Sequence, residues 1–173
     1  HRPGIKIINC VIHDCGSCGI GFWAGAADSE AHGNLIYNCG YDGQARGSHR
    51  KARSYRGHGH GMYIQNEKGE RLIKNNISFR QFANGLSPHT TNAPRHNVKL
   101  IGNTVFNSGE YSHIAPFRKN IEFQYGTVGK NGRLIANYTY LPANVEGSGI
   151  IAFGNNTNAV IRDNYFVTSP PHG

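Results

Sequence analysis

Short apolar runs recur along the chain, and each leads into a polar residue at a fixed offset. An Ile or Leu stands three positions before an Asn or Cys six times: Ile7 to Cys10, Ile36 to Cys39, Ile73 to Asn76, Leu100 to Asn103, Leu134 to Asn137 and Ile161 to Asn164. The intervals of 29, 37, 27, 34 and 27 residues are irregular for a helical solenoid. They suit coils that accept loops of different length at fixed corners. A second landmark is a Gly followed by an apolar residue, at Gly19-Ile20, Gly61-Met62, Gly85-Leu86 and Gly149-Ile150, with His113-Ile114 a weaker version. Beyond it the pattern alternates: Ile20, Phe22, Met62 and Ile64 point inward, and Gly21, Trp23, Tyr63 and Gln65 point outward. Period two predicts strands, and no stretch carries a clean helical apolar stripe.

Successive, similar strands joined by connections too short for crossover helices do not fit an ordinary parallel sheet, but they fit a coiled stack. Each strand then lies beside its equivalent in the next coil, and identical positions form ladders along the axis. Asn76, Asn103, Asn137 and Asn164 are the predicted inward ladder, their amides hydrogen-bonded one to the next, with Cys10 and Cys39 continuing it. The 173 residues form one domain, 1–173, interrupted by a basic insertion at 40–59 and a second insertion at 110–130. Insertions in solenoids project from one face, often the binding face.

The Ile-x-x-Asn-x-hydrophobic pattern, seen in Leu100-Ile101-Gly102-Asn103-Thr104-Val105-Phe106 and followed further on by Gly-Ile or Gly-Leu, resembles the right-handed parallel β-helix repeat of the pectate-lyase-like superfamily. The resemblance runs from Ile5 to Val167 and implies an all-β, right-handed parallel β-helix solenoid of about six coils with loop insertions. That superfamily holds lyases, hydrolases, epimerases, phage tailspikes and proteins without known activity, so the fold alone assigns no function. No amphipathic helical cap is recognisable, and His1-Arg2-Pro3-Gly4 leads straight into the first strand. The expectation is a mature chain or a piece of a longer one, and an uncapped coil end would favour end-to-end self-association.

Eighteen Lys and Arg against ten Asp and Glu give a formal charge of +8, which points to a polyanionic partner. With no nucleic-acid module in the chain, the basic run around Arg50 reads as a loop facing acidic polysaccharide rather than nucleic acid. No segment reaches the roughly 18 apolar residues of a membrane span, and the expected location is extracellular or in the cell envelope. Four cysteines, Cys10, Cys15, Cys18 and Cys39, are too few and too local for a disulfide scaffold. Cys10 and Cys39 are expected to stack in adjacent coils. Cys15-Gly-Ser-Cys18 resembles half a zinc site without a second pair, so no metal site is assigned.

The segment Gly57-His58-Gly59-His60-Gly61-Met62-Tyr63-Ile64-Gln65-Asn66 is the strongest local candidate for chemistry. One coil later Ser87 should stand beside Tyr63 and His89 beside Gln65, and one coil earlier Trp23 occupies the second position. Aromatic faces take the C–H side of a sugar ring and cations take its carboxylate. The acids are scattered and do not pair at matching outward positions, which disfavours hydrolysis by two carboxyl groups. β-Elimination needs a cation for the uronate carboxylate, a base for the C5 proton and an acid for the leaving oxygen. The expected roles are Arg80 or Arg56 for neutralisation, His60 or His89 for proton abstraction and Tyr63 for protonation, with Trp23, His58 and Gln65 binding substrate. The rival expectation is a non-catalytic β-helix that binds carbohydrate or serves assembly. No cofactor is required, and calcium would find only Gln65, Asn66 and Glu67 as nearby oxygen ligands.

Overall fold

The computed structural model describes residues 2–40, 59–88, 93–109, 119–123, 129–141, 149–153 and 156–168. Among these, every regular element is a strand, and the strands recur in sets. The first coil contributes β1 (Lys6–Ile8), β2 (Val11–His13) and β3 (Ile20–Phe22), the second β4 (Ser29–His32), β5 (Leu35–Tyr37) and β6 (Met62–Ile64). The third contributes β7 (Arg71–Lys74), β8 (Ile77–Phe79) and β9 (Leu86–Ser87), and the fourth β10 (Val98–Ile101), β11 (Thr104–Phe106) and β12 (Lys119–Phe123). The fifth holds β13 (Gly129–Lys130), β14 (Arg133–Ile135), β15 (Tyr138–Leu141) and β16 (Gly149–Phe153), and the sixth β17 (Asn156–Thr157), β18 (Val160–Arg162) and β19 (Tyr165–Thr168).

Among the described residues all pairings are parallel; each of the first five coils adds one strand to each of three stacks, and the sixth adds one to the first two. Sheet 1 runs β1-β4-β7-β10-β14-β18, sheet 2 runs β2-β5-β8-β11-β15-β19 and sheet 3 runs β3-β6-β9-β12-β16, with β13 and β17 as a short fourth ladder. This is the organisation of a parallel β-helix solenoid. Its axial core holds Ile20, Phe22, Ile36, Met62, Ile64, Ile73, Leu86, Leu100, Val105, Ile121 and Leu134, all nearly inaccessible. Each such side chain contributes about 1.5–3 kcal/mol of burial. Inward Ile20, Phe22, Met62 and Ile64 are where the alternation placed them. The last described coil differs: inward-facing Ile161 is 47 % exposed and Phe166 36 %, whereas their rung-mates Leu134 and Thr139 are fully buried.

The amide ladder sits at the bend between sheets 1 and 2. Asn34, Asn76, Asn103, Asn137 and Asn164 each accept, through Oδ1, the backbone N–H of the preceding rung at 2.9–3.0 Å. Within the Asn series, side-chain Nδ2 donates to the next Oδ1 at 2.9–3.0 Å. The ladder differs from the sequence expectation in one rung. Ala31, not Ile36, pairs with Ile7, so Asn34 follows Cys10 and the intervals are 24, 42, 27, 34 and 27 residues. Ile36 pairs with Ile12 in sheet 2, and Cys39 therefore belongs to the next corner, one rung from Cys15. Cys10 and Cys39 do not stack. The second insertion also shrinks, because Lys119–Phe123 is a regular strand of sheet 3, with Ile121 rather than Ile114 in the rung of Leu86. Residues 41–58 and 110–118, which hold most of the two insertions, lie outside the described residues.

The sharp bends require left-handed backbone. At the sheet 1 to sheet 2 corner Asn9, Gly33, Asn75, Gly102, Ala136 and Asp163 occupy one column, all with φ between 54° and 68°. Asn and Gly tolerate this region, and Ala136 does so at a steric cost. A Cβ at Gly33 would overlap Asn9 Oδ1, and one at Gly102 would overlap Asn75 Oδ1. The outer faces differ in character. Sheet 1 carries Lys6, Glu30, His32, Lys74, Lys99, Arg133 and Arg162, whereas sheet 2 carries a face-to-face stack of His13, Tyr37, Phe79 and Phe106 with centroids 4.9–5.2 Å apart.

Three outcomes follow for stability. Asn103→Ala leaves the Asn76 N–H and the Ile73 carbonyl without their side-chain partner in the interior, and denaturant titration should show a loss of about 3–5 kcal/mol. Asn164→Ala, at a half-buried rung that water can reach, should cost about 1–2 kcal/mol. Burial, with the neighbouring Cys15 adding to it, pushes the Cys39 thiol from 9.0 up to about 12. Between those values the unfolded chain gives up this proton and the folded chain keeps it, so stability should fall by about 1.4 kcal/mol per pH unit as pH rises. Cys39→Ala should remove that slope when stability is compared at pH 8 and pH 10.5.

Candidate functional site

The outer face of sheet 3 gathers the polar side chains that the interior cannot accept. Its register sets Gly21 beside Tyr63, Tyr63 beside Ser87 and, through the pairing of Leu86 with Ile121, Ser87 beside Glu122. His60 enters from the turn before β6. That turn is tight because the chain passes against the next coil: a Cβ on Gly61 would overlap Ser78 Oγ.

His60 is buried, and its Nδ1 accepts the backbone N–H of Asn84 at 3.2 Å. In the neutral ring this bond leaves the proton on Nε2, which is then a donor. The imidazole stacks on Tyr63 with centroids 5.7 Å apart, and Tyr63 packs at a tilt against Trp23 at 5.4 Å. Gln65 is oriented at both ends: Oε1 accepts the Ala24 N–H at 3.1 Å, and Nε2 donates to the Tyr63 hydroxyl at 3.1 Å. The phenolic oxygen accepts this bond and keeps its own O–H to donate. Trp23 remains 45 % exposed beside this group.

A second knot of polar groups lies one coil on. Asn84 accepts the Lys119 N–H on Oδ1 at 2.9 Å and donates through Nδ2 to Ser87 Oγ at 3.2 Å and to the Glu122 carboxylate. Ser87 Oγ donates to the same carboxylate oxygen at 3.1 Å. The Arg95 guanidinium, buried and donating to the Pro88 carbonyl at 3.4 Å, is held below its ordinary range by desolvation and lifted by the nearby Glu122 charge. Beneath the face, Arg71 is fully buried with its guanidinium 4.4 Å from the Phe22 ring centre. It donates to the backbone carbonyls of Gln65 at 3.2 Å and Trp23 at 3.4 Å. Desolvation pulls it to about 10 against the opposing pull of Asp28, so at neutral pH it stays charged and ties the two strand ends together.

The structure thus brings together His60, Tyr63, Gln65 and Trp23. Arg80 is elsewhere: it is exposed at the corner after sheet 2, in the same left-handed column as Asp14, Asn38 and Asn107. Arg56, His58 and His89 lie outside the described residues. Sequence reasoning missed Asn84, Glu122, Arg95 and Arg71. Glu122 was findable once Ile121 was aligned with Leu86, since that step alone puts an acid in the Tyr63 and Ser87 column. Among the described residues no group of three or more His, Cys, Asp or Glu is arranged to hold a metal ion, and no helix is long and apolar enough to cross a membrane. No protein-family model, curated protein sequence or solved structure matches the chain.

Glu122→Gln should retain most of the hydrogen bonds to Asn84 and Ser87 yet remove the negative charge that acts on the buried Arg95 guanidinium. Chemical denaturation should register a loss of about 2–3 kcal/mol, and the double variant Glu122→Gln, Arg95→Met should recover part of it.

Proposed function

We propose that this parallel β-helix acts on acidic polysaccharide by lyase-type β-elimination, with the outer face of sheet 3 as its active surface. One observation carries the reading: His60, Tyr63 and Gln65, from one turn and one strand, converge beside an exposed Trp23. Convergence of titratable groups next to a sugar-stacking ring supports an active site over a scaffold. In this scheme Trp23 takes the apolar face of a sugar ring. His60, stacked on Tyr63, holds the phenol in position. Tyr63 protonates the departing glycosidic oxygen, its oxygen then stabilised by Gln65. The base is assigned to His89 on sequence grounds, and cations of the basic insertion such as Arg56 neutralise the uronate carboxylate as the C5 proton leaves. The superfamily resemblance and the net positive charge fit an anionic sugar chain and an extracellular or envelope setting.

The second reading is a non-catalytic β-helix that binds carbohydrate or serves as a structural module. It is favoured by the way Gln65, Asn84 and Ser87 direct their side-chain groups to one another and to the backbone.

Incubation with alginate, pectate and glycosaminoglycans, followed by ultraviolet absorbance of unsaturated products, separates the readings. Tyr63→Phe should reduce kcat by about 10²–10⁴-fold while thermal unfolding stays close to that of the parent. Absence of unsaturated product from all three substrates, or full activity in Tyr63→Phe, would overturn the lyase reading.

A further inference from the structure

Three of the four cysteines meet at the corner where the chain leaves sheet 2. Ile12 pairs with Ile36, so Cys15 and Cys39, three residues further on, occupy neighbouring rungs. The Gly40 N–H donates to the Cys15 carbonyl at 2.7 Å, which fixes the two backbones against each other. Their thiols adopt the same disposition, Cys15 Sγ donating to the His13 carbonyl at 3.6 Å and Cys39 Sγ to the Tyr37 carbonyl at 3.5 Å. The Cys15 side chain lies within hydrogen-bonding reach of Cys39, and Cys18 is close enough to act on Cys39 electrostatically. Gly19 closes the other side of the Cys39 sulfur, since a Cβ there would lie 3.0 Å from Sγ.

We propose that Cys15 and Cys39 form a disulfide under oxidising conditions, joining the first coil to the second. Adjacent strands run about 4.8 Å apart, inside the roughly 4.4–6.8 Å span of Cα separations that a disulfide bridges. The corner column explains why a bond is useful at this rung. Further along, side-chain amides link the coils here: Gln81 Oε1 accepts the Cys39 N–H at 3.0 Å, and Asn120, which accepts the Ser108 N–H of its own coil at 3.1 Å, donates through Nδ2 to the Tyr140 carbonyl of the next coil at 2.8 Å. Between the first and second coils the column holds two sulfurs instead. Cys10 takes no part, because it lies in the Asn34 column.

The oxidant is a small disulfide such as oxidised glutathione. Half-buried Cys15 is the accessible nucleophile, whereas Cys39 is fully buried. The Cys15 thiolate attacks one glutathione sulfur and expels a glutathione thiolate. Cys39, deprotonated, then attacks the Cys15 sulfur of the mixed disulfide and expels the second. Two protein S–H bonds are lost, one S–S bond forms, and the two electrons leave as two molecules of glutathione.

Equilibrating the protein with oxidised glutathione and mapping peptides without reduction should find Cys15 linked to Cys39. Because the bond closes a loop of about 24 residues, Tm should rise by about 6–12 °C and return to its starting value with dithiothreitol. Cys18→Ser should keep the link and the shift, and Cys39→Ser should abolish both. A Cys15 to Cys18 bond, glutathione adducts alone, or a Cys15 to Cys39 bond without a rise in Tm would overturn the proposal.

Discussion

The hydrogen-bonded column of asparagines inside the first bend is the constraint on which the rest of the molecule depends. A strand can slip along its neighbour with little penalty if only backbone groups are paired, and a slip of one residue turns every side chain to the opposite face. Each buried Asn prevents this by binding the backbone N–H of one coil and the side chain of the next. Slippage would leave these groups unsatisfied where water cannot reach them. The column fixes register at one corner, and the short strands carry that register to the other two sheets.

The polar face of sheet 3 is a product of that register. Tyr63, Ser87 and Glu122 are far apart in sequence and adjacent in space because three coils are locked in phase. The coil that bears His60 and Gln65 is further secured from below by Arg71, whose guanidinium holds the Gln65 and Trp23 carbonyls and rests on Phe22. A buried cation in this role resists deformation more than it adds stability, since its desolvation offsets much of what its hydrogen bonds contribute.

The strand pattern and four rungs of the ladder were legible because Ile or Leu three residues before Asn is a local signal. The rung at Asn34 was not, because small Ala31 fills the inward position there and the more conspicuous Ile36 and Cys39 belong to the next corner. That misalignment also concealed the nearness of Cys15 and Cys39. For the site, alternation along β6 correctly faced Tyr63 and Gln65 outward, and the columns correctly paired Tyr63 with Ser87. Glu122 escaped because the connection before it is long, and the apolar residue that marks its coil follows Asn120 rather than a glycine. Arg80 was drawn toward the site by charge alone, although the corner it occupies is set by backbone geometry.

The left-handed column at the first bend alternates Asn9, Gly33, Asn75 and Gly102, with the side chain of each Asn filling the space that the following Gly leaves open. The units of this solenoid are therefore not interchangeable, although they share a fold. Through the first four coils they come in two parities, one that lends a side chain and one that receives it, and the alternation stops at Ala136 and Asp163. Deleting or duplicating a single coil among those four would set two lenders or two receivers face to face, so lengthening that part of the chain during evolution is easiest two coils at a time.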